Sequence, residues 1–288
     1  MRPAIRRCLP VGLAFLFWAA VARPQQPQQT NAALRDSELR TSEKLNAAMH
    51  AGLVADSQSR HDEAIKSYKE AVALAEQLRP RDQRLAAALD HLGNRYLGRD
   101  FPAADAAYSR ELKVVEELFG LQNPNVAQPL QSLGTSALLQ KDYASAQKFY
   151  TRALEANEKG LGVNSPAVAD SLRILARVFV LQKQYGRAEP YLLRAVKIDE
   201  SASIQNDSAL LGPLTMLCNL YEVWGKPDKA EPREREIIGI VERQYGPDNQ
   251  ILVPVLTKEA QSLRSLGRAD EATKVEQRLK SIQSTAMN

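Results

Sequence analysis

Along residues 133–154, LGTSALLQKDYASAQKFYTRAL, small and apolar residues recur at helical spacing between polar ones. The segment LARVFVLQKQYGRAEPYLLRAV at 175–196 repeats the pattern 42 positions later. The same interval separates Ala104, Ala146, Ala188, Ala230 and Ala272, and also Leu130, Leu172, Leu214 and Leu256. Self-similarity at a fixed period of this size marks a chain of stacked supersecondary units. Each unit reads as two helices. In the first, a small slot (Gly52, Gly93, Gly134, Ala176, Cys218, Ala260) is followed three residues on by Ala55, Tyr96, Ala137, Phe179, Tyr221 or Leu263. The second opens near Ala64, Ala104, Ala146, Ala188, Ala230 or Ala272, with Tyr68, Tyr108, Tyr150 and Leu192 four later on the same face. Small residues let paired helices approach, and the bulky ones fill the space between pairs, so this is a core pattern and not a cofactor box.

Punctuation sets the boundaries. Gly120, Gly162 and Gly246 fall at multiples of 42 as stops for second helices, and Pro124, Pro166 and Pro247 come within a few residues of them. Pro190 and Pro232 are placed in the first turn of a second helix, where a missing N–H matters little. Repeat two is one residue short before Phe101, and SASIQNDSA at 201–209 makes a looser connection, with Ile204 where glycine is expected. The last helix, near 270–284, carries Ala272, Val275, Leu279 and Ile282 on one face and Lys274, Glu276, Arg278 and Lys280 on the other. Such a wet outer face is what ends an array, and it predicts a complete one. The fold class is all-α, an αα-hairpin repeat solenoid of about six repeats, with units near 43–83, 84–125, 126–167, 168–209, 210–250 and 251–288.

The N-terminus reads differently. MRPAIRR followed by CLPVGLAFLFWAAVA, residues 1–22, has the basic start, short apolar stretch and small-x-small ending of a secretory signal. It predicts cleavage after Ala22 and an exported, periplasmic or secreted, protein. An uncut anchor is the alternative, although the apolar run is shorter than a membrane span of ~20 residues. Residues 23–42 open on RPQQPQQTNAA and are expected to be a flexible Pro/Gln-rich linker. Losing Arg2, Arg6 and Arg7 would bring the formal charge of +4 down to about +1, too little for a nucleic-acid footprint. After cleavage Cys218 has no partner for an intramolecular disulfide, and in the small slot it reads as a packing residue.

These residues resemble the tetratricopeptide repeat, in its 42-residue kinesin-light-chain-like subtype. The match rests on Leu-Gly or Leu-Ala in the first helix, AEP at 188–190 and 230–232, and the LG…P endings at 119–124 and 161–166. It covers about residues 43–288 as six units. Repeats three and four match best, and repeat one is divergent. Repeats five and six lose the second-helix aromatic (Glu234, Glu276) and the small residue (Ile237, Leu279). The resemblance implies a right-handed superhelix whose first helices line a concave groove for peptides or protein segments. Transferring those groove positions picks out Asp90, Asn94, Gln131, Thr135, Arg173, Arg177, Thr215, Asn219 and Gln261. The alternative for this ladder is an ordinary solvated helix face. Arg173 with Arg177 forms its sharpest subset, a two-pronged clamp for a carboxylate.

No motif assembles acid, base and nucleophile, and His50, His61 and His91 lack metal-ligand spacing. The reading is therefore no enzyme, no cofactor and no metal. Trp224, beside Gly225, reads as a packed turn residue before a binding hot spot. The expected function is an exported interaction scaffold for a protein or peptide partner, with no nucleic acid and with a membrane only if the N-terminal segment stays uncut. The alternative is a self-associating structural component of an envelope assembly.

Overall fold

The computed structural model describes residues 26–202 and 207–285, and every described element is helical. The apolar stretch 1–22 and Ile204 lie outside these residues. Twelve α-helices succeed one another: α1 (Gln26–Ser57), α2 (His61–Ala75), α3 (Gln83–Tyr96), α4 (Phe101–Phe119), α5 (Ala127–Leu139) and α6 (Tyr143–Leu161). Then come α7 (Pro166–Leu181), α8 (Tyr185–Ala202), α9 (Leu211–Trp224), α10 (Pro227–Tyr245), α11 (Leu252–Ser265) and α12 (Ala269–Thr285). Short 3-10 turns at Pro124–Val126 and Asp207–Leu210 lead into α5 and α9. No described helix is long and apolar enough to cross a membrane.

Two compact units divide the chain, Met1–Arg40 and Thr41–Asn288. In the first, the opening turns of α1 carry exposed Leu34 and Leu39 and an Asp36–Arg40 ion pair of 2.8 Å. From Gln26 on, the stretch expected to be a flexible linker is thus helical. Its only prolines stand at or before position 27, and residues 32–42 beyond them are rich in Ala, Leu, Arg and Glu, good helix formers.

The second unit is the array. Odd-numbered helices pair with the next even-numbered ones as antiparallel hairpins, and each hairpin packs on its neighbours. The periodic residues form the core: Ala64, Ala104, Ala146, Ala188, Ala230 and Ala272 are buried, as are Leu130, Leu172, Leu214 and Leu256. Second helices stop at Gly120, Gly162 and Gly246, whose φ values of 92°, 89° and 88° combine with extended ψ, a region glycine alone occupies readily. The turns inside the hairpins share a different device. Ser59, Gly98, Lys141, Lys183, Gly225 and Gly267 all have positive φ. Closing bonds such as Asp142 N–H to Ala137 C=O, 2.9 Å, and Lys226 N–H to Tyr221 C=O, 2.9 Å, complete six-to-one helix endings.

Pro190 and Pro232 sit one turn deeper than the sequence suggested. Each is the sixth residue of its helix, α8 or α10. These helices begin earlier than the periodic Ala spacing implied, because the hairpin turns are so short.

Candidate functional site

The site is built from first helices, and the hairpin interior decides what they can offer. In repeats one to three a second-helix tyrosine lies across the first helix at a glycine. A Cβ added at Gly52, Gly93 or Gly134 would stand 2.4, 2.4 or 2.6 Å from the ring of Tyr68, Tyr108 or Tyr150. Only glycine admits the ring there. Where the tyrosine is replaced by Leu192, Glu234 or Glu276, the slot becomes Ala176, Cys218 or Ala260. The hydroxyls then reach the groove side. Tyr68 donates to Asp56 at 2.7 Å and Tyr108 to Asn94 Oδ1 at 2.7 Å, while Tyr150 and Thr135 hydroxyls lie 3.0 Å apart.

Six of the nine candidate ladder residues are already occupied. Asn94 takes the Tyr108 hydroxyl and donates to Asp90 at 3.0 Å, and Thr135 serves Tyr150. Arg173 is held between Asp170 on its own helix and Asp199 of α8. The two-pronged arginine clamp is reduced to Arg177, which is exposed. Thr215 donates back to the Leu211 carbonyl at 2.6 Å, and Asn219 Oδ1 accepts from Lys258 Nζ at 2.6 Å. Gln131 and Gln261 remain on cavity walls.

A groove of about 490 Å³ crosses α3, α5 and α7, lined on those helices by Gln83, Gln128, Gln131 and Asp170, with Asn157 behind them. Gln128 and Asp170 are 42 apart and three residues N-terminal to Gln131 and Arg173, so the open wall keeps Gln131 and otherwise lies about one turn before the positions picked from sequence. That spacing was readable in the chain. Which turn would be blocked by tyrosine hydroxyls was not. Asn157 is buried and donates to Ser171 Oγ at 3.0 Å, which fixes this wall.

Two buried acids interrupt the pattern. Glu111 stands where Ala71, Ala153 and Ala195 stand in other second helices, and it is 4% exposed. Burial, then the Asp90 carboxylate, pushes its carboxyl up to about 8, and Oε2 has no partner. Burial likewise raises Asp90, against His91 and the amides of Gln128 and Asn94. Glu234 takes the tyrosine position of repeat five. Burial pushes it up to about 7.

Other candidate chemistry is absorbed by packing. Burial, then Glu234, pushes the Cys218 thiol up to about 12, the reverse of an activated nucleophile. Trp224 packs against Tyr185 with ring centroids 6.3 Å apart, under Lys229 at 5.3 Å. His91 stacks on Tyr68 at 5.1 Å. Among the described residues no three His, Cys, Asp or Glu side chains group as metal ligands.

Paired helices stacked at a constant period, with a groove along the first helices, define an αα-hairpin repeat solenoid. The chain is a tetratricopeptide-repeat protein: tetratricopeptide repeat models match residues 45–78, 95–159 and 133–201. A comparison with curated proteins finds no match. Among solved structures it is similar to BtubC (BKLC) of P. vanneervenii, with TM-score 0.59 and 18% identity, over 86% of this chain and 92% of that one. It is also similar to the nearly identical TPR-like repeats of a Podosopora anserina kinesin light chain, with TM-score 0.59 and 15% identity, over 69% and 95%. Aspartyl phosphate phosphatase F of Bacillus subtilis shares the fold, with TM-score 0.61 and 15% identity, over 88% and 74%. The repeat family consists in general of interaction scaffolds that bind protein or peptide partners.

Proposed function

We propose that this protein is an exported, non-enzymatic scaffold that holds an extended segment of a partner protein along its first helices. One observation carries the reading. The groove of about 490 Å³ runs across three consecutive repeats and is lined by the amide side chains of Gln83, Asn125, Gln128, Gln131 and Asn157. Glutamine and asparagine offer both donors and acceptors, which suits an extended backbone and makes few demands on its sequence. Export rests on the signal-like residues 1–22.

Two measurements test it. The intact mass of the native protein should begin at Arg23, and a chain retaining Met1 would contradict export by cleavage. Replacing Gln128, Gln131 and Arg177 together by alanine should weaken partner capture from the native compartment at least tenfold with helical content unchanged. Undiminished capture by that variant would remove the groove from the account.

A further inference from the structure

Repeat five places a buried acid where the hairpin interior meets the groove. The position filled by Tyr68, Tyr108 and Tyr150 in repeats one to three holds Glu234, which is 2% exposed. Its Oε1 accepts from the Ser262 hydroxyl at 3.1 Å, and its Oε2 has no partner at all. A buried acceptor left unmet is costly, and one that borders a cavity can be met by a donor entering that cavity.

Two cavities are lined by Glu234. A cavity of about 180 Å³, walled by Cys218, Ile237, Val241, Ile251 and Val255, ends at Glu234. A second, of about 400 Å³, opens from Glu234 past Tyr221, Lys226 and Gln261. Lys258 borders both, but its Nζ is turned to Asn219 and Glu222, each at 2.6 Å. The neighbouring acids have cations of their own: Glu231 pairs with Arg235 and Arg268, and Glu259 with Arg235. Glu234 is the buried acid of this end without one.

We propose that the repeat-five pocket takes a lysine side chain of the partner, its methylenes along the apolar wall and its ammonium on Glu234 Oε2. The proposal deepens the groove reading above and rests on it. The chemistry selects lysine. A single free carboxylate oxygen suits the compact point charge of an ammonium, whereas a guanidinium is matched by two. An apolar sleeve ending in one buried acceptor suits a long aliphatic stem with a charged tip.

Charge makes the binding pH-dependent. The groups facing Glu234 are Glu231 on its own helix, Cys218 on α9, and Lys258 and Glu259 on α11. An ammonium binds the ionised carboxyl, and with Glu234 titrating at about 7, the ionised fraction falls roughly tenfold from pH 8 to pH 6 while an alkylammonium near pKa ~10.4 stays charged.

The ammonium site is tested with small probes on the full mature chain, and the lysine assignment by partner capture. Methyl resonances of Ile237, Val241, Ile251 and Val255 are tracked while n-butylammonium or n-butanol is added. The amine should shift them and bind at least tenfold more tightly than the alcohol, more weakly at pH 6, and not measurably to Glu234→Gln. The double variant Cys218→Gly, Glu234→Tyr rebuilds the filling of repeats one to three and should close the pocket to both probes. If that variant does not fold, Glu234→Gln decides alone. Equal binding of amine and alcohol, no shift with either, or undiminished binding to Glu234→Gln overturns the ammonium site. Amine binding with partner capture unaffected by Glu234→Gln overturns the lysine assignment. Neither result touches the groove reading, which the Gln128, Gln131 and Arg177 variant tests separately.

Discussion

Glu111 and Gly134 show how single residues set both stability and the shape of the groove. Glu111 buries a carboxyl where the other repeats put alanine, and its titration lies at about 8 instead of the ordinary 4.5. The folded state therefore holds its proton longer than the unfolded chain does. Below the unfolded value both states are protonated and nothing is lost. As pH rises from about 4.5 to about 8, stability falls, because only the unfolded chain gains its charge. Glu111→Ala should remove that slope and raise the melting temperature most at pH 8, by an amount corresponding to about 1–3 kcal/mol. A variant melting lower than the parent at pH 8 would show that the acid stabilises the fold. Gly134→Ala should cost about 1–3 kcal/mol, because a methyl would intrude on the Tyr150 ring. Adding Tyr150→Leu, the pairing that repeat four uses with Ala176 and Leu192, should recover at least about 1 kcal/mol of that loss in a double-mutant cycle. Strict additivity would mean that ring and glycine are independent. The glycines and tyrosines were visible in the chain. Their coupling was not, since it depends on which way a ring crosses its partner helix.

At the level of helices, the even-numbered elements are tied by a ladder of ion pairs that periodicity alone left hidden. Arg110 meets Glu76, Arg152 meets Glu116, Arg194 meets Glu158 and Arg278 meets Glu242, each joining one second helix to the next. The ladder breaks between α8 and α10, where Glu236 stands at the arginine position, in register with Glu200, and instead holds Arg233 at 2.8 Å. This is also the junction with the irregular connection at 201–209. Glu236→Arg should restore the rung and raise stability by about 0.3–1 kcal/mol at low salt, with the gain fading as salt is added. No gain in unfolding midpoint at low salt would mean the rungs are decoration on a packing-driven stack. Helix positions were legible because Ala and Leu at the 42-residue interval are all core residues. The hairpin turns were less so, since Ser59, Lys141 and Lys183 adopt positive φ without being glycine, and nothing in a lysine announces that. The helical start of α1 was missed because Pro27 and the glutamines outweighed the Ala, Leu and Arg beyond them.

For the whole array, each hairpin buries its apolar face only against its neighbours, so folding and recognition both belong to the stack. The nine groove residues chosen from sequence all stand on first helices, α3, α5, α7, α9 and α11. Their register was set aside by side chains that sequence spacing does not orient: hydroxyls capping Asn94 and Thr135, and acids holding Arg173. The wall of Gln83, Gln128, Gln131 and Asp170 stays open, with the Glu234 pocket farther along. The proposed scaffold role requires a partner to lie on this first-helix wall. Its most direct test places a photo-crosslinking residue at Gln128 in one variant and at Lys148, exposed on the second helix α6, in another, with both irradiated in the cells that make the protein. A crosslink to a different protein from position 128 and none from position 148 is the expected result. Crosslinks from position 148 alone, or from position 128 only to a second copy of this chain, would contradict it.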